Sequence, residues 1–345
     1  MNNSLPKVTI CLQSFNCAPI IKYTLNSLIN QDYPNFEILI FDDSSTDNTL
    51  EILSEYKKKY DFINYFQNDK ELNTTNFNQY LKNINTYGEF FTVFHSDDIY
   101  ESDIVSNQVN FLKENKDAIC VSTDAKIIDV KNNLIGEPKI PQIVKNAKLI
   151  DYNFFINTLF SNGFFLMMPS FMYRTDVMKK NKFIFDYNKW GWCADIAFCL
   201  EITKHGKIGF INKKLLNYRV SNLSNSQKLR FERVSDNSLF KILDTVINET
   251  SLKNYNKELK KKRDFLLMHD RALTGINLIL QNKNINSIAI LKNFTLALHS
   301  LLNFKRFIIS ITVKIISILP FRKYLLIRIL KLSRYYKLDL EKYQK

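Results

Sequence analysis

The sequence predicts an α/β fold, with a mixed central sheet flanked by helices and a helical C-terminal extension. Short runs of β-branched and aromatic residues without polar alternation are typical of strands buried on both faces of a sheet. Segments with helical apolar spacing alternate with these runs over the first hundred residues. The chain has 345 residues, 46% of them hydrophobic. This is enough for one domain of about 200–250 residues and a smaller appendage, and it excludes a disordered chain.

A β-α-β unit opens the chain. Residues 7–12 and 36–41 have the composition of buried strands, and residues 16–31 between them have helical spacing, with Pro19 near the helix start. The residues Asp-Tyr-Pro-Asn at 32–35 are expected to end this helix. A crossover of this kind between parallel strands is expected to be right-handed.

The same alternation continues to about residue 130, and a mixed section follows it. Further helices are predicted at 46–60, 76–85, 101–115 and 194–205, and further strands at 62–67, 90–94, 118–122 and 126–130. The ranges 164–173 and 207–220 contain strand-like runs. The polar stretch after residue 221 indicates a linker, and only helical patterns follow it, without an internal repeat. We therefore predict two domains, residues 1–225 and residues 226–345.

The positions of the glycines and cysteines exclude some kinds of binding site and indicate where the protein is located. None of the seven glycines lies in a G-x-G-x-x-G or G-x-x-x-x-G-K-[ST] pattern, so the two commonest glycine-cradled phosphate sites are absent. The five cysteines form no C-x-x-C pair, and no signal peptide precedes the first strand. A cytoplasmic location is therefore expected.

Positive charge is concentrated near the C-terminus. The formal net charge is +14, and residues 271–338 contain twelve Lys and Arg residues without a single Asp or Glu. These charges are interleaved with Ile, Leu and Phe, which favours an anionic membrane surface over nucleic acid as the partner. The N-terminal 220 residues are nearly neutral. We expect no nucleic-acid binding.

The C-terminal apolar segments predict helices that lie on a membrane rather than cross it. Residues 307–319 form an apolar run that is too short to span about 30 Å of hydrocarbon. On a helical wheel one side carries Phe321, Leu325, Ile329, Leu332 and Tyr336, and the other carries Lys323, Arg328, Lys331 and Arg334. This pattern is typical of an interfacial helix, and it predicts a peripheral protein on the inner face of the cell membrane. The alternative is a helix that packs its apolar stripe onto the N-terminal domain.

Carboxylates follow two of the predicted strands. Asp42 and Asp43 come after the strand at 36–41, and Asp97 and Asp98 come soon after the strand at 90–94. In a doubly wound sheet, ligands bind beyond the carboxyl ends of the strands. Adjacent buried acids repel each other unless a divalent cation or a hydrogen-bonding ligand is present. For the first pair, a helix N-cap is an equally good interpretation.

Several of these segments resemble the family-2 glycosyltransferases of the GT-A fold. The resemblance runs through residues 7–16, 25–31 and 36–49, continues in 88–98, which is similar to the metal-binding segment of the family, and extends to about residue 226. It implies a nucleotide-diphospho-sugar transferase with a Rossmann-like sheet. It also implies inversion at the anomeric carbon.

The resemblance assigns donor-binding roles to several residues. It implies that Asp43 accepts the N3–H of uracil and that Gln13 and Asn16 lie beside the nucleotide. It further implies that Asp98, with Asp97, holds Mg²⁺ or Mn²⁺ against the diphosphate of a UDP-sugar. Carboxylates and phosphate oxygens are suitable ligands for these ions.

The resemblance also implies an acceptor site. Asp195 corresponds to the catalytic base of the family, which removes the proton of the acceptor hydroxyl. Trp190 and Trp192 flank it and would stack on an acceptor sugar. The alternative is an ordinary acid at a helix N-terminus between two core tryptophans. Arg219 would meet the diphosphate, or else be a surface arginine.

The chain departs from the pattern of the family at a few positions. His95 occupies the outer acidic position of the D-x-D-D form, and Ser96 stands two residues before Asp98, where many members have an acid. Ala194 and Ser221 replace a common Glu and a common His. His95 is either a weak metal ligand or only a neighbour of the site.

The sequence therefore predicts a metal-dependent, inverting hexosyl- or N-acetylhexosaminyltransferase. It would move a sugar from a UDP-sugar to a hydroxyl of a glycan or lipid-linked saccharide. One rival is a nucleotidyltransferase, which normally needs a glycine- and lysine-rich loop that is absent here. The other is a non-catalytic nucleic-acid-binding protein.

Overall fold

The computed structural model describes most of the chain. The described residues are 5–67, 78, 80–81, 83–220, 233, 235–249, 253–282, 301–317, 319 and 321–331. Two compact units are present, one of Met1–Asn157 and Phe164–Arg219, the other of Thr158–Gly163 and Val220–Lys345. The predicted domain boundary at residue 225 lies outside the described residues, as do residues 76, 77, 79 and 82 of the predicted helix at 76–85.

The first unit is built on a mixed sheet of ten strands within its described residues. The strands are β1 (Val8–Ser14), β2 (Phe36–Asp42), β3 (Ile63–Gln67), β4 (Phe90–His95), β5 (Ile99–Tyr100), β6 (Ala118–Ile128), β7 (Leu134–Gly136), β8 (Leu149–Ile150), β9 (Met172–Arg174) and β10 (Lys207–Arg219). The strand order is β3-β2-β1-β4-β9-β6-β10-β5, with β7 paired to β6 and β8 paired to β10.

Helices connect these strands and cover the sheet. They are α1 (Ile21–Ile29), α2 (Thr49–Lys59), α3 (Ile104–Glu114), α4 (Gln142–Lys145), α5 (Tyr152–Asn162), α6 (Thr175–Asn181), α7 (Tyr187–Trp190) and α8 (Ala194–His205). The core lies where the buried faces of α1 and α3 pack on the apolar strands β1, β2 and β4. The predicted α/β fold with a mixed sheet is confirmed.

Parallel pairing brings the predicted ligand residues to one edge of the sheet. Strand β1 runs parallel to both β2 and β4, with Ser14 opposite Asp42 and Gln13 opposite His95. Parallel strands end at the same edge, and there the chain must leave the sheet and expose polar groups. The loops after β1, β2 and β4 therefore form one surface.

Two predicted strands are one strand in the structure. The runs at 118–122 and 126–130 form the single strand β6, because the intervening Asp124 stays buried in the strand with its carboxylate 2.7 Å from Lys145 Nζ. In the range 164–173, where a strand-like run was expected, the short strand β9 begins at Met172, and a 3₁₀ turn at Met168–Ser170 precedes it. Pro169 has no N–H to donate to a sheet ladder, which favours the turn.

The second unit is helical in its described part. Its helices are α9 (Leu239–Glu249), α10 (Lys253–Leu280), α11 (Leu301–Ser317) and α12 (Arg322–Lys331). A buried apolar cluster joins α10 to α11 and α12 through Ile276, Val313 and Leu326. No helix among the described residues is long and apolar enough to cross a membrane.

Some of the predicted basic surface is used inside this second unit. Arg271 donates to both carboxylate oxygens of Asp236, at 2.9 and 2.8 Å. Arg306 donates to the carbonyl oxygens of Ser161 and Asn162, at 3.0 and 2.7 Å. These two cations stabilise the helical unit, so they do not belong to a freely available charged face.

Candidate active site

The acidic pair after β2 divides into two different roles. The carboxylate of Asp42 accepts hydrogen bonds from the hydroxyls of Ser14 and Ser45, at 2.7 and 2.6 Å, and from the Ser45 backbone N–H at 2.8 Å. Asp43 instead accepts a long contact of 3.4 Å from the Gln13 side-chain amide. Asp42 therefore holds the loops after β1 and β2 together. Of the two acids, Asp43, with Gln13 beside it, is the one that can contact a ligand.

The loop after β1 is held against the loop after β2 by Asn16. Its side-chain oxygen accepts the Thr46 N–H at 2.8 Å, and its own N–H donates to the Ser45 hydroxyl at 2.9 Å. Asn16 and Ser44 both have positive φ, at 44° and 61°, and asparagine tolerates this conformation better than most residues. A donor contact from Asn16 stays a prediction, but its side-chain oxygen already has a partner within the protein.

His95, Asp97 and Asp98 form a group that can hold a metal ion. Each of the three residues offers one potential ligand atom, and these atoms lie within 4.8 Å of one another. Asp98 is fully buried, and its Oδ2 has no hydrogen-bond partner. Burial and then the neighbouring Asp97 raise the pKa of Asp98 well above its usual value. A buried, unpartnered carboxylate oxygen beside a second carboxylate fits a divalent cation.

Arg219 fixes the loop that carries Asp97 and Asp98 from the end of β10. Its backbone N–H donates to Asp98 Oδ1 at 2.8 Å, its Nε donates to the Asp97 carbonyl at 2.6 Å, and its Nη1 donates to the Asp129 carbonyl at 2.8 Å. The residue is only 2% exposed, so the surface-arginine alternative was wrong. Its Nη2 has no hydrogen-bond partner, and contact with a diphosphate stays a prediction.

Two further residues position this loop and were missed in the sequence. The Thr24 hydroxyl lies 2.8 Å from the Ser96 carbonyl oxygen and 2.6 Å from that of Asp98. The Tyr100 hydroxyl accepts the His95 backbone N–H at 2.8 Å. Thr24 is a polar residue on the buried face of α1, and that mismatch was the available signal. Tyr100 gave none, because an aromatic residue in a strand is ordinary.

Asp195 lies in the first turn of α8. Its Oδ1 accepts the Ile196 backbone N–H at 2.8 Å. Burial raises the pKa of Asp195 to about 6, and hydrogen bonds from the backbone only partly offset this effect. A carboxylate with a pKa close to neutrality is well suited to accept a proton and to release it later. This supports its interpretation as a base without testing it.

The two tryptophans differ in their surroundings. Trp192 is 52% exposed, with the Tyr187 ring edge-on at 5.4 Å, so this tryptophan is not a core residue. Trp190 is half-buried, and Lys189 Nζ lies 4.6 Å from its ring centre. Between them, Gly191 has a φ of 53°, in the left-handed region that favours glycine. Trp192 therefore offers the more accessible aromatic surface to an acceptor.

The mixed sheet, and the carboxylates at the carboxyl ends of its parallel strands, place the chain in the class of GT-A glycosyltransferases. The family model described as "Glycosyl transferase family 2" matches residues 9–181, which is half of the chain. The chain therefore belongs to glycosyl transferase family 2, in agreement with the resemblance seen in the sequence.

Curated relatives have several different substrates. A dolichyl N-acetyl-alpha-D-glucosaminyl phosphate 3-beta-D-2,3-diacetamido-2,3-dideoxy-beta-D-glucuronosyltransferase of Methanococcus voltae is 31% identical over 206 residues, covering 58% of this chain and 62% of the relative. A poly(ribitol-phosphate) beta-glucosyltransferase of Bacillus spizizenii is 28% identical over 185 residues, covering 52% and 27%. The chain thus spans less than two thirds of the length of either relative.

Solved structures share the fold. S. aureus TarS 1-349 in complex with UDP-GlcNAc is 19% identical, with a TM-score of 0.55 and coverage of 98% of this chain and 89% of that one. Mannosyltransferase PcManGT from Pyrobaculum calidifontis, in complex with GDP-Man and Mn²⁺, is 13% identical, with a TM-score of 0.55 and coverage of 91% and 88%. At this identity the likeness establishes the fold alone.

Proposed function

We propose that this family 2 enzyme transfers a hexosyl or N-acetylhexosaminyl group from a UDP-sugar to a hydroxyl of a glycan or lipid-linked saccharide. The observation that carries the proposal is the convergence of Asp43 and the His95, Asp97 and Asp98 group at the carboxyl ends of β2 and β4, the two strands that flank β1. In the proposed reaction one acid reads the base of the nucleotide, and the others lie beside its phosphates. Membership in the family favours sugar transfer over nucleotidyl transfer.

Each residue has a distinct part in the proposed reaction. Asp43 accepts the uracil N3–H, supported by Gln13. Asp97 and Asp98 would hold Mg²⁺ or Mn²⁺, which would stabilise the charge on the departing diphosphate. Asp195 takes the proton of the acceptor hydroxyl. As it does so, the hydroxyl oxygen of the acceptor bonds to the anomeric carbon on the face opposite the leaving UDP. The configuration at that carbon is thereby inverted.

The neighbouring acids Asp42 and Asp43 give a matched test of the donor site. We expect Asp43→Asn to weaken UDP binding by about 10- to 100-fold, because a hydrogen bond to a charged acceptor contributes about 1.5–3 kcal/mol. We expect Asp42→Asn to lower the free energy of unfolding by about 1–3 kcal/mol instead, because an amide cannot accept from both serine hydroxyls and the Ser45 N–H.

Calorimetric titration with UDP and thermal unfolding of both variants measure these effects. Wild-type protein that fails to bind UDP in the presence of Mn²⁺ and of Mg²⁺ would contradict the proposed donor. Equal UDP affinities for wild type and Asp43→Asn would leave the donor proposal standing but reject the role of Asp43.

The C-terminal helices support a membrane-bound location. Phe321, between α11 and α12, is 85% exposed and has a φ of 60°, a conformation that is rare for a bulky residue. Leu325 and Ile329 on α12 are 36% and 38% exposed, so part of each apolar side chain stays accessible to solvent. The predicted partners Leu332 and Tyr336 lie outside the described residues. We propose that these helices bind an anionic bilayer at the inner face of the cell membrane, where a lipid-linked acceptor would be accessible.

Vesicle binding tests this surface. We expect the protein to sediment with vesicles that contain phosphatidylglycerol, and Phe321→Ser to weaken binding by about tenfold or more, because burial of a Phe side chain is worth about 1.5–3 kcal/mol. Leu134→Ser is the matched control, since Leu134 is 63% exposed in the first unit. Equal loss in both variants, or no binding by the wild type, would contradict the proposal.

A further inference from the structure

We propose that the imidazole of His95 is a direct ligand of the divalent cation, which makes the site selective for Mn²⁺ over Mg²⁺. This inference rests on the proposed function, because it concerns the cation expected to accompany the UDP-sugar. It goes further by identifying a third protein ligand and the class of metal that this ligand selects.

The position of His95 carries the first step. It is the last residue of β4, and its backbone is fixed by pairing with β1 at Gln13 and by the hydrogen bond to Tyr100. A ring nitrogen of His95 lies within 4.8 Å of carboxylate oxygens of both Asp97 and Asp98. Three donor atoms at this separation can meet one ion, since metal–ligand distances of about 2–2.4 Å bring ligands of the same ion within such a distance of each other.

The second step concerns which carboxylate oxygen of Asp98 is available to a cation. Asp98 Oδ1 is occupied by the Arg219 N–H, whereas its Oδ2 is buried without a hydrogen-bond partner. A buried carboxylate oxygen without a partner carries a large free-energy penalty unless a ligand satisfies it. This unpartnered atom belongs to the same group as the His95 ring, so one cation would satisfy both residues.

The third step is the chemistry of the ligand set. Where the resemblance to the family leads us to expect an acid, this chain has a neutral nitrogen donor, so the site offers two carboxylates and one imidazole. Mg²⁺ strongly prefers oxygen ligands and keeps much of its water. Imidazole binds transition-metal ions well, and carboxylates suit Mn²⁺ as well as Mg²⁺. The combination therefore favours Mn²⁺ over Mg²⁺.

Pulsed electron paramagnetic resonance of Mn²⁺ tests this ligand directly. We expect the complex of the full-length protein with Mn²⁺ and UDP to show ¹⁴N coupling from a bound imidazole, and the pattern to change to ¹⁵N when the protein is labelled with [¹⁵N]histidine. This measurement on the wild type does not depend on any variant folding. The absence of nitrogen coupling would overturn the proposal.

Variants test the selectivity. We expect His95→Gln to lose the nitrogen coupling, and His95→Asp to lower the ratio of the Mg²⁺ and Mn²⁺ dissociation constants by about tenfold, measured by calorimetry with UDP present. His205→Gln is the control, because His205 is exposed and paired with Glu201 on α8. An unchanged ratio in His95→Asp would also reject the proposal.

The outcomes separate this inference from the function on which it rests. Binding of UDP with Mn²⁺ but without imidazole coupling would reject the role of His95 and leave the glycosyltransferase proposal in place. A wild-type protein that binds neither Mn²⁺ nor UDP would contradict both. Nitrogen coupling that persists in His95→Gln would assign the ligand to a different histidine and reject His95.

Discussion

Asp195→Asn is expected to lower kcat for sugar transfer by about 10²- to 10⁴-fold while leaving UDP affinity unchanged. The amide retains the oxygen that accepts the Ile196 N–H but cannot remove a proton from the acceptor hydroxyl, and general bases typically contribute a factor of this size. Initial rates with a UDP-sugar and calorimetric UDP binding measure the two effects. Full activity in Asp195→Asn would reject the assignment of the base.

The raised pKa of Asp195 adds a pH dependence to this expectation. Transfer by the wild type should increase as the pH rises through about 6, because only the ionised carboxylate accepts the proton. Stability should change in the opposite direction. The pKa of Asp195 in the folded state lies above the ordinary aspartate value of 3.8, so the stability contributed by protonated Asp195 is complete below about pH 3.8 and is lost as the pH rises through about 6.

It follows that Asp195→Asn should be more stable than the wild type at neutral pH. A tenfold change in proton affinity corresponds to about 1.4 kcal/mol, so we expect the free energy of unfolding at pH 7.5 to rise by about 1–3 kcal/mol. Asp176→Asn is a useful control, because Asp176 is an ordinary acid in the first turn of α6. Its loss should instead lower stability by about 0.3–1 kcal/mol. If Asp195→Asn behaved in the same way, the helix N-terminal alternative would be correct.

Asp98→Asn should abolish metal-dependent UDP binding, with the Mn²⁺ dissociation constant raised by at least about 100-fold. The asparagine can still accept the Arg219 N–H through its side-chain oxygen, so the loop is expected to keep its position. The buried oxygen without a partner is replaced by an amide N–H₂, which repels a cation. The site has few protein ligands, so removing one carboxylate ligand should weaken Mn²⁺ binding far more than removing a hydrogen bond that only orients a ligand.

Calorimetry with UDP and Mn²⁺ on wild type, Asp98→Asn and Asp129→Asn measures this effect. The side chain of Asp129 caps an exposed turn, and its backbone carbonyl accepts from Arg219 in either variant. Asp129→Asn should therefore bind like the wild type. If Asp98→Asn kept Mn²⁺-dependent UDP binding while folding normally, Asp98 would not be the metal ligand.

Local patterns in the sequence predicted the regular elements well, and they did so for a physical reason. Helix α8 was predicted at 194–205 and is observed at Ala194–His205, and β2 was predicted to within one residue. The sequence predicted two strands at 118–122 and 126–130, with Asp124 in the gap between them, whereas the structure has one strand. The burial of Asp124 depends on Lys145, which is distant along the chain, and local pattern does not reveal such a partner.

The candidate site shows the same division. The acids were identifiable because they follow apolar strands. What distinguishes Asp42 from Asp43 includes its hydrogen bond from the Ser14 hydroxyl, which arises only when β1 and β2 pair. Arg219 lies 121 positions from Asp98 along the chain. Its burial follows from the pairing of β10 with β6, which no short-range pattern encodes.

The anchoring of Asp98 by Arg219 has a consequence for the modularity of this enzyme. The family match ends at residue 181, yet the backbone N–H that holds the Asp98 carboxylate belongs to Arg219, the last residue of β10. A polypeptide cut at the end of the match would also leave β6 without its longest partner, exposing an edge that invites aggregation. A segment exchanged between such enzymes must therefore extend through residue 219 if it is to keep the arrangement around Asp98.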